Sequence, residues 1–331
     1  MEPSATSTHR QGQRALGQTI LVLEPQYHER VWGGQQLRAA NPPIGEAWLA
    51  MGESVVAGGR LAGRTIQDLA TEFGPELLGS SVFARHGARF PLLAKILDPA
   101  DWLSVQVHPN DEQARIMVGP AEYGKTEAWF FIKTGPDARI LLGVKRGVPA
   151  LAVARAIRER RVIDVAQEVD VHEGEAVLVP AGTLHALGPG LLLFEIQEAS
   201  DTTYRAYDWG RPETPSRHLH IEESVAVTTT AGPEPGCTPS IAGESGTADA
   251  VDCPYFDLDL VKAAGRPLPL DTGGRSFHIL TTIEGTAEVA SGGENVRLER
   301  FETAIVTGAT GSYGVSAIDG TARLMRVAVP T

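Results

Sequence analysis

Seven short runs of largely apolar residues, at 19–23, 90–97, 103–108, 128–133, 138–144, 176–179 and 191–197, are separated by glycine, proline and small polar residues. Runs of this length match strands, and breakers at this spacing predict an all-β barrel or sandwich. The 36 glycines and 22 prolines fit the many turns of such an architecture. Helices are few. Thr65-Ile66-Gln67-Asp68 reads as a capping box ahead of a helix that buries Ile66, Leu69 and Phe73. Asn110 caps a second helix through Ile116, Pro149 opens a third over 150–160, and Ser216 starts a fourth through Val225.

The stretch 231–254 is small, polar and rich in Gly, Pro and Ser, which predicts a loop or linker and a domain boundary near residue 240. Beyond it, 255–331 returns to β-like alternation. Residues 1–18 lack the apolar core of a signal peptide and read as a disordered leader. With 29 Lys+Arg against 41 Asp+Glu, the net charge of −12 argues against a nucleic-acid partner, which demands a basic footprint. Any anionic substrate must be met by a local cationic pocket, because the overall field repels it. No run approaches the roughly 18 apolar residues of a membrane span. Cys237 and Cys253 share no metal-ligand spacing, so a reduced, cytoplasmic protein is expected.

Two segments carry chemistry. In Leu103-Ser104-Val105-Gln106-Val107-His108 the side-chain period of two puts Ser104, Gln106 and His108 on one face. An inward amide two residues from an imidazole is half of a divalent metal site. The second segment runs from Gly174 through Pro180 and Gly182 to His185. Its strand ends at Pro180, Gly182 allows the backbone reversal, and His185 opens the next strand toward the interior. The spacing Gly-x5-Pro-x-Gly-x2-His resembles the second motif of cupin barrels, with Pro189 where that motif usually has asparagine.

Further blocks narrow the resemblance: Val31-Trp32-Gly33-Gly34, Gly45-Glu46-Ala47-Trp48, Phe90-Pro91-Leu92-Leu93-Ala94-Lys95, Ser104-Val105-Gln106-Val107-His108-Pro109, Gly124-Lys125-Thr126-Glu127-Ala128-Trp129, Val179-Pro180-Ala181-Gly182-Thr183-Leu184-His185 and residues 195–211. In their order, and covering most of residues 31–211, they resemble the type I mannose-6-phosphate isomerases in their shorter bacterial form. The resemblance implies a mainly β protein of two cupin-like (jelly-roll) β-barrels with a small helical insertion, the second barrel degenerate. The expected division is a catalytic domain over 19–235, a linker over 236–254 and a C-terminal domain over 255–331.

It also implies a zinc site of Gln106, His108, Glu127 and His185, with Mn2+ or Co2+ as substitutes. A surface pair of Glu127 with Lys125 is the competing structural reading. Arg205, Lys125 and Glu195 are the implied catalytic residues, and Ser104, Lys95 and Asp201 the substrate-binding ones. An inward Glu195 needs a partner, and Arg205 is the expected one; Lys95 is either functional or a strand-edge lysine. Lys125 and Lys95 are candidates for phosphate, while Asp208, Trp209 and Arg211 read as a structural corner. The implied reaction interconverts mannose 6-phosphate and fructose 6-phosphate through an enediol(ate), in a monomer or homodimer. The alternatives are another metallo-cupin enzyme, such as an isomerase of unphosphorylated sugars or an oxygenase, and a non-catalytic sugar-binding cupin. The tail lacks the histidine motif and holds one histidine, His278; it is expected to support the first barrel or to wall its cleft.

Overall fold

The computed structural model describes residues 15–230, 232 and 236–331, and its strands lie in four antiparallel sheets. The first sheet has six strands, in the order Gln26–Gly34, Ile44–Ala50, Leu92–Leu97, Leu191–Glu198, Glu127–Thr134 and Ala176–Val179. Leu92–Leu97 and Leu191–Glu198 are buried on both faces, which is why their sequences are nearly continuous apolar runs. Their few polar side chains, Lys95, Glu195, Gln197 and Glu198, therefore all need partners inside the protein.

One face of this sheet packs on a five-stranded sheet ordered Tyr204–Tyr207, Val105–Val107, His185–Leu187, Arg139–Val144 and Ala166–Asp170. Trp32, Leu97, Trp129, Phe131 and Leu193 meet Ile140, Leu142 and Leu187 in their shared core. The outer face of the five-stranded sheet is covered by the helices Ala150–Arg158 and Ile221–Val227, through Val153, Ile157 and Val227. The opposite face of the six-stranded sheet, with Ala94, Ile96, Phe194 and Ile196, packs on Leu258, Ile279, Ile305 and Met325 of the C-terminal unit. Helix Ile66–Phe73 buries Ile66, Leu69 and Phe73 in the same core. Thr65 caps it by accepting from Asp68 N at 3.1 Å, and Asn110 with Gln113 forms a full capping box on Asp111–Met117.

The C-terminal unit is a second sandwich, of a six-stranded and a four-stranded sheet, cored by Val261, Leu280, Val306 and Leu324 against Val289, Leu298, Tyr313 and Val315. The fold is mainly β and of the cupin, jelly-roll type. Several boundaries differ from the sequence reading. Ile20–Leu23 pairs with Thr303–Val306, register Ile20 to Val306, so the first strand is built into the C-terminal unit. Gly246–Asp252, inside the expected linker, is an edge strand on Asp257–Ala264. An edge strand needs little apolar burial, and Ala250 and Val251 supply it. Residues 231 and 233–235 of that stretch lie outside the described residues, as does 1–14 of the expected leader. Leu16, also assigned to the leader, is 4% exposed and its N–H donates to Glu76. The fourth helix begins at Ile221 rather than Ser216, because residues 214–217 form a tight bridge and His220 N donates to Arg205 O at 2.8 Å. Among the described residues no helix is long and apolar enough to cross a membrane.

Candidate metal centre

Three strand ends converge between the two sheets of the first unit. His108 follows Val105–Val107, Glu127 opens Glu127–Thr134, and His185 opens His185–Leu187. One ligand-type atom from each lies within 4.8 Å of the others, and all three residues are 1% exposed. Each ring is held from behind. His108 Nδ1 meets Thr202 O at 2.9 Å, and His185 Nδ1 meets Thr183 O at 2.9 Å. A carbonyl only accepts, so the proton sits on Nδ1 and the Nε2 lone pair points at the centre.

Burial holds both imidazoles neutral. For His108 the Lys125 charge and the His185 ring add to burial and push its pKa well below the usual value; for His185 burial wins over the opposing charge of Glu127. A neutral imidazole is the form that ligates a metal. His185 Nε2 is buried without a hydrogen-bond partner, yet stands 3.2 Å from Glu127 Oε1. Two lone pairs facing each other at that distance repel unless a proton or a metal cation lies between them. Two imidazole nitrogens and a carboxylate oxygen form a donor set that fits Zn2+. Gln106 neighbours His185 on one side of its strand and Arg205 on the other, and lines the same cleft. Lys125 Nζ donates to Glu127 Oε2 at 2.8 Å and to His108 Nε2 at 3.2 Å. The Glu127–Lys125 pair is thus present, but buried at the centre rather than on a surface.

Gln106 and Lys125, beside the centre, line a cleft of about 830 Å³ that also gathers Ser104, Lys95, Glu195, Asp201 and Arg205. All of its lining residues fall between Glu29 and His220, so the C-terminal unit supports the first sandwich but does not wall the cleft. The expected Glu195–Arg205 pair does not form. Glu195 accepts from Lys95 Nζ at 3.0 Å and from Trp129 Nε1 at 2.9 Å, its ladder neighbours on either side. Arg205 lies in the opposite sheet, where its NH1 donates to His218 O at 3.0 Å and its buried Nε has no partner. Burial, with Arg217 nearby, lowers its pKa.

Lys95 sits in an interior strand, not at an edge, and also donates to Gln197 Oε1 at 2.6 Å. Burial alone would lower its pKa, but Glu195, Glu46 and Glu127 together raise it, so it stays charged. Glu46 was given no role by the sequence reading. It accepts from Arg30 at 2.9 and 3.1 Å and from Trp48 Nε1 at 2.7 Å, and Lys95 and Arg30 hold it ionised against burial. Its signal was an acidic residue in an otherwise apolar strand. His218 and His220, with rings 4.0 Å apart, were also missed because their stretch reads as helix. Asp208, accepting from Arg211 and Arg217, does form a corner, with Trp209 in the left-handed region at φ 55°.

Comparison with known proteins agrees with this geometry. The model of the phosphomannose isomerase type I catalytic domain matches residues 20–127. The mannose-6-phosphate isomerase of Streptococcus mutans is 33% identical over 307 residues, covering 86% of this chain and 92% of that protein. The crystal structure of the mannose 6-phosphate isomerase from Bacillus subtilis aligns with a TM-score of 0.82 at 27% identity, over 94% of this chain and 99% of that one. A zinc-bound mannose 6-phosphate isomerase shares the fold with a TM-score of 0.75 at 20% identity, over 95% and 100% of the two chains. The chain belongs to the type I mannose-6-phosphate isomerase family.

Proposed function

We propose that this chain is a metal-dependent isomerase that interconverts mannose 6-phosphate and fructose 6-phosphate through an enediol(ate). The observation that carries the reading is the unpartnered His185 Nε2 facing Glu127, buried behind Gln106 and Lys125, which line a cleft rich in charged side chains. Gln106, His108, Glu127 and His185 are the residues to hold the ion, zinc by donor type, with Mn2+ or Co2+ as substitutes. When bound, a divalent ion supplies Lewis-acid polarisation of the sugar's O1 and O2.

The remaining chemistry belongs to side chains. A proton must move between C1 and C2 while negative charge builds on the adjacent oxygens. Arg205 offers to that charge a half-buried guanidinium whose Nε is unpaired and whose NH1 is held by His218 O, and fixed donors of this kind stabilise transition states most where water is excluded. Glu195 carries the proton between the carbons; its donors Lys95 and Trp129 fix the carboxylate in one orientation. Lys125 orients the reacting oxygens beside the centre. Ser104 and Asp201 serve the sugar hydroxyls. Lys95 donates to Glu195 and Gln197, and Lys125 to Glu127 and His108, which favours both lysines in the reaction over phosphate binding. Phosphate recognition is assigned to the stretch of the cleft lined by His218, His220 and Arg217, whose guanidinium is held in place by Asp208.

The test is formation of fructose 6-phosphate from mannose 6-phosphate by wild-type and Arg205→Ala protein, with chelator and with zinc restored. Full activity is expected only in zinc-restored wild type, while Arg205→Ala keeps its zinc and loses most of its turnover. Turnover in the chelated protein would overturn the reading.

A further inference from the structure

The backbone on either side of Lys125 is held by two carboxyl groups that lie outside the cleft. Asp111 Oδ1 accepts from Gly124 N at 2.7 Å, and Glu198 Oε1 accepts from Thr126 N at 2.9 Å. Glu198 N also donates to Thr126 O at 3.2 Å, so one residue holds both backbone polar groups of Thr126. Lys125 N donates to Pro109 O at 3.0 Å, and Ala181 N donates to the Thr126 hydroxyl at 3.3 Å. The segment is pressed close as well: a Cβ on Gly124 would stand 2.5 Å from Asp111 N. Pro109 follows His108 and Ala181 precedes His185, so this peptide ties the ligand-bearing segments together.

Glu198 is 4% exposed and has no ion-pair partner among the described residues. Around it stand Asp111, the Tyr123 and Tyr255 phenols and the Cys253 thiol, while Arg115 pairs with Asp111 at 3.5 Å. Burial pushes its carboxyl up to about 8, and a hydrogen bond with Asp111 adds to the shift. A neutral acid fits both neighbours, with its hydroxyl donating to Asp111 and its carbonyl oxygen accepting from Thr126.

We infer that Glu198 is a positioning residue: by holding both backbone polar groups of Thr126, it fixes where the Lys125 ammonium stands beside Glu127 and His108. It touches neither substrate nor ion and acts through Lys125. The inference rests on the assignment of Lys125 to the reaction, which the same experiment tests separately.

The experiment measures kcat, KM, bound zinc and thermal stability for Glu198→Ala, Glu198→Gln, Lys125→Ala and the Glu198→Ala/Lys125→Ala double variant. Glu198→Ala is expected to keep one zinc per chain and a KM within about 3-fold, while kcat falls about 10-fold or more. Glu198→Gln recovers most of that loss, because an amide can still accept from Thr126 and donate to Asp111. In the Lys125→Ala background the further loss from Glu198→Ala is under about 2-fold, since coupled residues are non-additive. Should Glu198→Ala fail to fold, Glu198→Met fills the volume without the acceptor and takes its place in the cycle. Additive losses, or a Glu198→Ala enzyme whose kcat per bound zinc is unchanged, overturn the inference. A fully active Lys125→Ala enzyme removes the role of Lys125 itself, and this inference with it.

Discussion

Both β units bury a histidine at a strand start, and the two rings have opposite surroundings. In the C-terminal unit His278 opens His278–Glu284 and its Nδ1 meets the Tyr313 hydroxyl at 2.7 Å, while burial drives its pKa down to about 3. In the first unit His185 spends Nδ1 on a carbonyl and turns a bare Nε2 toward Glu127 and His108. Among the described residues, only His108, Glu127 and His185 form a cluster of ligand-type side chains. The same sandwich can therefore leave a histidine satisfied internally or leave it needing an ion; the fold does not decide which, and the neighbouring strand ends do.

The largest effects should come from exchanging these histidines for alanine. His185→Ala is expected to lose bound zinc and at least about 10³-fold in kcat, as removal of a Lewis acid demands. His278→Ala keeps zinc and turnover within about 2-fold, and loses about 1–3 kcal/mol of stability by chemical denaturation. Equal damage from both would erase the contrast. Next comes Arg205→Ala, with kcat lower by about 10²–10³ and zinc retained, measured in the isomerase assay with metal analysis. Trp129→Phe keeps the ring but removes one donor to Glu195, for an expected loss of about 10-fold in kcat, roughly one charged-group hydrogen bond.

The smallest and sharpest effect is in the pH dependence of stability. His278 binds its proton in the unfolded chain near 6.5 but in the folded one only near about 3. Its contribution is therefore present above 6.5 and is lost as pH falls through that window, by at most about 1.4 kcal/mol per pH unit. Glu198 is displaced the other way, to about 8, so its contribution is full below the ordinary carboxyl value and is lost as pH rises toward 8. Denaturant melts should show His278→Gln removing a rise of stability with pH between about 3 and 6.5, and Glu198→Gln removing a fall of stability with pH between about 4.5 and 8. A change of slope of the opposite sign in either variant would contradict the assignment.

Much of the site was legible before folding because its residues sit in local patterns. Gln106 and His108 share a strand face, and the turn at Gly182, with φ 85°, sets His185 at the start of the next strand. What stayed hidden depends on which distant strands lie side by side. Glu195 takes Lys95 and Trp129 as partners because those strands flank its own, and nothing near residue 195 announces that order. The strand Ile20–Leu23 was legible as a strand, but its place beside Thr303–Val306 is a long-range pairing. The edge strands Gln26–Gly34 and Gly246–Asp252 were missed for a different reason. Each buries only part of one face, so polar and small residues suffice and the apolar run that signals an interior strand is absent.

The most direct measurement is zinc binding by calorimetry to metal-free wild type, His185→Ala and His278→Ala, each followed by the isomerase assay. The account predicts one zinc per chain in wild type and His278→Ala, with activity rising in proportion to zinc bound, and neither binding nor activity in His185→Ala. Stoichiometric zinc and restored turnover in His185→Ala would contradict it.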